Sequence, residues 1–224
     1  MDLDSEYFTE PKWPSSPWPV GKSQCCWFPK SEQTGFIEVM KGLPRHPVYV
    51  ELGTFLGAGS TRVALETRDD LQALCFDDFT ITADIIRNAS KGNHHYLPEN
   101  FKGSDFSKGV GDALKHCQNN LFSYQDRVKI FKMHTSHAII DKLANSGVMP
   151  DCVLIDDHHE RGPFIKRLFR CRYRWPDAWI ICDDYCKSWP GVMEGVSEAF
   201  KRGWYHESES KMLGKRTIAF KRNR

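Results

Sequence analysis

Two stretches of the chain end in bursts of acid, VLIDDHHE over residues 153–160 and WIICDDY over residues 179–185. Each opens as an apolar run of the kind that forms a buried strand, so four aspartates, Asp156, Asp157, Asp183 and Asp184, converge at one sheet edge. Unpaired, Asp156, Asp183 and Asp184 would repel one another. Their grouping makes sense around a hard divalent cation that takes oxygen ligands. Magnesium is the natural candidate, with manganese and calcium as alternatives. Such a cation binds a substrate hydroxyl, lowers its pKa and orients its oxygen. His158 or His159 would then take the proton, because neutral imidazole suits that task near pH 7. Adjacent histidines in a loop also serve structure or face solvent, and spacing alone does not choose between the two.

A second constellation is ELGTFLGAGS, residues 51–60. Gly53 permits a tight turn after a strand, Gly57 and Gly59 allow close approach of a ligand, and the helix that follows offers free amide hydrogens. An adenosine-containing cofactor fits such a turn, whereas the G-x-G-x-x-G spacing of nicotinamide enzymes is absent. Glu51 ends an apolar strand, where a carboxylate must be exposed at the sheet's mouth or compensated, and a cationic ligand would compensate it. Asp77 and Asp78 end the next apolar run, where one carboxylate accepts two hydrogen bonds from ribose hydroxyls; helix capping is the alternative use.

The elements that must position these residues alternate regularly. Apolar runs predict strands over 48–52, 71–76, 127–133, 151–156 and 178–184. Helical spacing predicts helices over 33–43, 61–67, 136–147, 163–173 and 190–203. Two closing strands are expected at about 204–208 and 216–221. Residues 79–127 hold an expected helix near 83–89, an inserted loop SKGNHHYLPENFKGSD, and a helix sharing Phe106, Val110, Leu114, Cys117 and Leu121 on one face. This alternation implies an α/β fold: a Rossmann-like doubly wound sheet of about seven strands, with its ligand beyond the strands' carboxyl ends.

A length of 224 residues fits one domain, with a Pro/Trp-rich arm or lid over 1–30 and the Rossmann-like core over 31–224. A net charge of +2 is too small to argue for nucleic acid or an anionic membrane. No run of about 18 apolar residues occurs and the first residues are acidic and polar, so a cytoplasmic protein is expected. The eight cysteines show no C-x-x-C spacing and read mostly as buried thiols. Arg161, Lys166, Arg167, Arg170, Arg172 and Arg174 crowd one predicted helix and KRNR closes the chain. Ile165, Leu168, Phe169 and Tyr173 give that helix a buried side, which favours a solvated basic face over a nucleic-acid surface. An anionic substrate such as a phosphorylated or nucleotide sugar lies between those readings.

VELGTFLGAGST, DCVLIDDHHE and WIICDDYCKSWPGVMEGVSEAF, together with the closing RTIAFKR, resemble class I S-adenosylmethionine-dependent methyltransferases. The likeness is to the branch of macrocin-type sugar O-methyltransferases, and it spans about residues 48–220. It implies a mostly parallel seven-stranded sheet whose last strand is antiparallel. It also implies S-adenosylmethionine held by Glu51, Gly53, Thr54, Gly57, Ser60 and Asp77, with Ser136 near adenine and Asp156 at the meeting of cofactor, metal and catalytic groups. Asp156, Asp183 and Asp184 would be the metal ligands and His158 or His159 the base. Three features depart from the pattern: Asp157 stands where a glycine is usual, Asp177 and Ala178 replace a glycine pair, and residues 79–127 are long. The expected activity is metal-assisted methylation of a hydroxyl on a sugar or other small polar molecule. The competing expectations are methyl transfer without a metal, and a methyltransferase-like module that binds nucleic acid or protein without turnover. A homodimer is expected only from the general frequency of symmetric oligomers.

Overall fold

In the computed structural model, which describes residues 3, 7–18, 28–82 and 112–221, the apolar runs pair into one seven-stranded sheet. The strands are β1 (Val48–Leu52), β2 (Gln72–Asp77), β3 (Val128–Lys132), β4 (Cys152–Ile155), β5 (Trp179–Cys182), β6 (Ser210–Met212) and β7 (Ile218–Phe220). Their order is β3-β2-β1-β4-β5-β7-β6. β1 to β5 pair in parallel, and β7 runs antiparallel to both β5 and β6. The chain leaves β1 for β2 on one side and reaches β4 on the other. A crevice therefore opens beyond the end of β1. The register brings Glu51 beside Cys75 and Leu154, so the acids that end β1, β2, β4 and β5 meet at one rim.

Alternation along β1 divides the core. Tyr49 packs with Phe36, Met40, Cys117 and Leu121 under α1 (Lys30–Lys41), α2 (Ser60–Thr67) and α3 (Ala113–Leu121). Val50 and Leu52 pack with Phe76, Ile140, Leu168 and Val196 under α4 (His137–Asn145), α5 (Arg161–Arg174) and α6 (Pro190–Lys201). Both faces of β1 are thus dry, as the apolar residues on each side of the strand require. All six described cysteines are free, five of them buried. No helix among the described residues is long and apolar enough to cross a membrane.

The arm is built into this core over its described part. Phe8 is buried against Phe76 and Phe131, with ring centroids 5.9 and 5.7 Å away. Trp18 donates its amide to Asn119 (2.6 Å) and its indole N–H to Gln118 (2.9 Å) on α3. Phe28 packs on Phe36 at 5.1 Å.

One element differs from expectation. Residues 204–208 form no strand; a 3-10 turn at Glu207–Glu209 leads into β6 at Ser210–Met212. Gly203, at φ +66°, turns the chain, and Tyr205 buries its ring on Phe220 (4.6 Å) instead of extending into a ladder. An aromatic pair after a helix resembles a strand in composition, but here Tyr205 is buried in the core while Trp204 is only partly covered. The helix expected at 83–89, the loop around 90–105, Phe106, Val110, Cys25, Cys26 and the last three residues of KRNR lie outside the described residues.

Candidate active site at the carboxyl ends of the strands

The glycine turn after β1 is shaped by what packs behind it. Gly53 has φ +95°, and a β-carbon there would meet the Asp156 carbonyl oxygen at 2.3 Å. Gly57 has φ +65°, and a β-carbon would strike Leu121 Cδ1 at 2.7 Å and Cys117 Sγ at 2.9 Å. At Gly57 a β-carbon is therefore blocked by α3, while the residue itself also lines the cleft. Between them Phe55 adopts φ +50°, a conformation uncommon outside glycine, with its amide donating to Asp77 Oδ2 at 2.8 Å. Asp77 Oδ1 accepts from the Phe79 amide at 2.7 Å, so this one carboxylate ties the β1 turn to the β2 loop. Burial raises the Asp77 pKa against those two amides.

A cleft lies over the turn, lined by Phe28, Glu51, residues 53–60, Asp156 and Asp183. Thr54 is buried in its wall, and among the described residues its hydroxyl has no oxygen or nitrogen hydrogen-bond partner and lies against the Cys75 thiol. On its floor Glu51 is compensated by hydroxyls. Ser60 donates to Oε1 at 2.5 Å, while Tyr49 (2.9 Å) and Thr61 donate to Oε2. Burial wins over these donors and pushes the Glu51 pKa up to about 7. Ser60 therefore acts on Glu51 from the first turn of α2.

The acid bursts separate into three environments. Asp157 turns from the rim into a buried ion pair with Arg167 of α5 (Oδ2 to Nη2 2.7 Å), and Arg167 also donates to the Thr135 carbonyl at 2.6 Å. The expected convergence of four aspartates is thus corrected to three. Asp183 Oδ1 accepts from Thr217 at 2.7 Å, and its Oδ2 lies 3.8 Å from Arg216 Nη2. Asp184, held at φ +56°, faces Arg216 Nη2 at 3.3 Å with Oδ1 and His159 Nε2 at 3.1 Å with Oδ2. His159 Nε2 is also 3.5 Å from Asp156 Oδ1, and its ring stacks on Trp189 at 4.2 Å.

Among the described residues, Asp156, Asp184 and His159 are the ones whose ligand atoms come together, all within 4.8 Å of one another. The trio expected from the sequence contained Asp183 in place of His159. Burial works against a charged His159, but Asp156 and Asp184 outweigh it and raise its pKa to about 10. Packing and then the Asp183 charge push Asp156 well above the ordinary carboxylate range, although it keeps some solvent contact. Burial followed by Asp184 raises Asp183, against Arg216 and Thr217.

His158 stands apart from this cluster, 5.5 Å edge-to-face from His134, which in turn is 3.8 Å from Asp78. Asp78 is engaged by the Thr80 amide (3.0 Å) and hydroxyl (2.7 Å), and these donors outdo burial to lower its pKa. Ser136 precedes α4, where its carbonyl accepts from the Ile139 amide (3.1 Å) and its side chain makes no capping bond. Sequence reasoning did not single out Tyr49, Thr61, Trp189, Arg216 or Thr217 for the site. Tyr49 was findable, because two positions before Glu51 on a strand is the same face. Arg216 and Thr217 come from the β6–β7 hairpin, and the motif RTIAFKR carries no chemical signal for them.

The basic helix is largely neutralised internally. Arg167 is spent on Asp157, Arg170 and Arg174 both reach Asp141 (3.3 and 2.7 Å), and Arg161 lies near Glu194 and Glu198.

The strand order, the antiparallel β7 and the cleft beyond β1 define the class I methyltransferase fold. Neither a family model nor a curated protein sequence matches the chain. Solved structures do. The O-methyltransferase NovP superposes with a TM-score of 0.54 at 16% identity, over 86% of this chain and 78% of that one. CalS11, a TDP-rhamnose 3'-O-methyltransferase of calicheamicin biosynthesis, gives 0.52 at 12% identity over 84% and 76%. A putative caffeoyl-CoA O-methyltransferase from Staphylococcus aureus gives 0.57 at 11% identity over 88% and 86%.

Proposed function

We propose that this chain is an S-adenosylmethionine-dependent O-methyltransferase that methylates a hydroxyl of a sugar or other small polar molecule with the help of a divalent cation, magnesium first. The observation that carries this reading is the union of two sites in one crevice: the cleft over the glycine turn has Asp156 and Asp183 of the acid bursts in its wall. The residues present suit both the cofactor and the cation. Thr54 offers the cofactor a buried hydroxyl without an oxygen or nitrogen partner. The cation suits Asp156, Asp184 and His159, where His159 Nε2 and Asp184 Oδ1 are buried without a hydrogen bond of good geometry.

When bound, the cofactor supplies a methyl group on a sulfonium sulfur, and the cation supplies charge that acidifies the acceptor hydroxyl. Residues 53–60 and Glu51 hold the cofactor, with Asp77 fixing the turn and Ser136 near the adenine side. Asp156 and Asp184 hold the cation's side of the crevice, and Phe28 covers the cleft and limits water. His158 takes the acceptor's proton. His159 is committed between two carboxylates and stacked on Trp189, whereas His158 lies outside that cluster. The neighbour's TDP-rhamnose substrate makes nucleotide sugars the first acceptor class to test. The paired arginines of α5 favour a small acceptor over nucleic acid, whose binding needs unspent positive charge. Methyl transfer without a metal is the second reading, favoured by the guanidinium of Arg216 already beside Asp184.

The test is transfer of labelled methyl from S-adenosylmethionine to a panel of sugars, nucleotide sugars and catechols, with magnesium or with a chelator. Turnover that the chelator stops is expected, and turnover that survives it selects the metal-free reading. His158→Ala should slow transfer by about 10²–10⁴-fold while leaving cofactor affinity intact. An unchanged rate would remove His158 from the proton transfer.

A further inference from the structure

We propose that Arg216 is a resident counter-cation of the acidic cluster and that a divalent ion gains Asp184 only by displacing it, so that the β6–β7 hairpin sets the metal affinity of the site. The inference rests on the cluster being a cation site, but not on methyl transfer. Asp184 presents one oxygen to His159 and the other to Arg216, at 3.1 and 3.3 Å. An ion taking Asp184 meets a guanidinium already beside it. Asp183 is withdrawn by the same hairpin, since Thr217 donates to its Oδ1 at 2.7 Å and Arg216 lies 3.8 Å from its Oδ2.

The hairpin is held for this task. Glu32 of α1 is fully buried and accepts from the amides of Lys215 (2.7 Å), Arg216 (3.4 Å) and Thr217 (3.1 Å). The Arg216 carbonyl accepts from the Tyr185 amide at 2.6 Å, one residue beyond Asp184. Two glycines let the parts close. A β-carbon on Gly214 would fall 2.4 Å from Glu32 Oε2, and one on Gly35 would fall 2.5 Å from the Leu213 carbonyl oxygen. The backbone of residue 216 is thus gripped from α1 and from the β5 end, and the Arg216 side chain is 28% exposed. If the guanidinium occupies Asp184 about nine-tenths of the time, the apparent metal affinity falls about tenfold, in proportion to the fraction of sites left open.

The experiment is Mn²⁺ binding to the full chain at fixed pH, read from the loss of the free-ion electron paramagnetic resonance signal, for the native protein, Arg216→Met, Arg216→Lys and Glu32→Gln. Arg216→Met keeps the aliphatic length without the charge and should bind Mn²⁺ about tenfold more tightly. Arg216→Lys keeps a cation and should stay within about threefold of the native protein. Should Arg216→Met not fold, Glu32→Gln carries the test, because it loosens the grip on the three amides and should tighten binding by about threefold. Native-like affinity in the folded Met variant, or in Glu32→Gln if that variant replaces it, overturns the counter-cation while leaving the metal site standing. No Mn²⁺ binding by any of the proteins overturns the counter-cation and the metal site together, and leaves cofactor binding to be judged by its own titration.

Discussion

Glu51 is kept dry by the fold and compensated by three hydroxyls, none of which carries a charge. Its raised pKa, about 7 against 4.5, makes its protonated form the one that folding prefers. Stability is then greatest below the unfolded value and falls as pH rises from about 4.5 through about 7. The loss is at most about 3.5 kcal/mol, by the equivalence of one pKa unit with about 1.4 kcal/mol. A cofactor that brings an ammonium and a sulfonium favours the ionised form, so its binding near pH 7 should release about half a proton from Glu51. Calorimetry in two buffers of different ionisation enthalpy measures that release. Glu51→Gln should abolish it, and an identical proton count in the variant would show that Glu51 does not sense the cofactor. The need for compensation at Glu51 was legible in the sequence, since an acid ending an apolar strand is costly alone. Its actual partners were legible only for Tyr49, by strand alternation. Arg216 and Thr217 were hidden, because a hairpin's side-chain targets depend on where the sheet closes and not on local pattern.

At the level of elements, α5 illustrates how a charge-rich helix can be internal. Arg167 is 1% exposed and holds Asp157, the residue that stands where the resemblance leads one to expect glycine. The pair joins the β4 loop to α5 and, through the Thr135 carbonyl, to the β3–α4 loop. It therefore holds the loop that carries His158 and His159. Arg167→Met leaves the Asp157 charge buried and should cost about 3–5 kcal/mol in urea unfolding, whereas Asp157→Gly with Arg167→Met should recover most of that loss. A single-variant cost below about 1 kcal/mol would mean that the loop is held by other contacts. Elements whose apolar pattern was long, such as β4, α5 and α6, emerged within a few residues of expectation. The strand expected at 204–208 did not, because Tyr205 gains more by packing on Phe220 than by pairing. The basic character of α5 was legible, but its neutralisation by Asp141 and Asp157 was not, since both partners lie on other elements.

The whole molecule makes one rim out of acids far apart in sequence. β1 sits at the switch between β2 and β4, so Glu51, Asp77, Asp156 and Asp183 end neighbouring strands. The glycine turn fills the crevice between them, and Phe28 lines the cleft there while Phe8 and Trp18 fasten the arm to opposite faces of the sheet. A mostly parallel sheet with helices on both faces and acids at its carboxyl edge was legible from the alternation of elements and the acid bursts, whereas the antiparallel last strand was expected only from the resemblance. Titration of S-adenosylmethionine into the metal-stripped full chain, repeated with magnesium, tests the central claim most directly. One cofactor per chain, with a Kd on the order of 1–100 μM in at least one condition, is the predicted result, in the range of enzymes' working affinities. No binding in either condition would contradict the account and leave a methyltransferase fold used for something else.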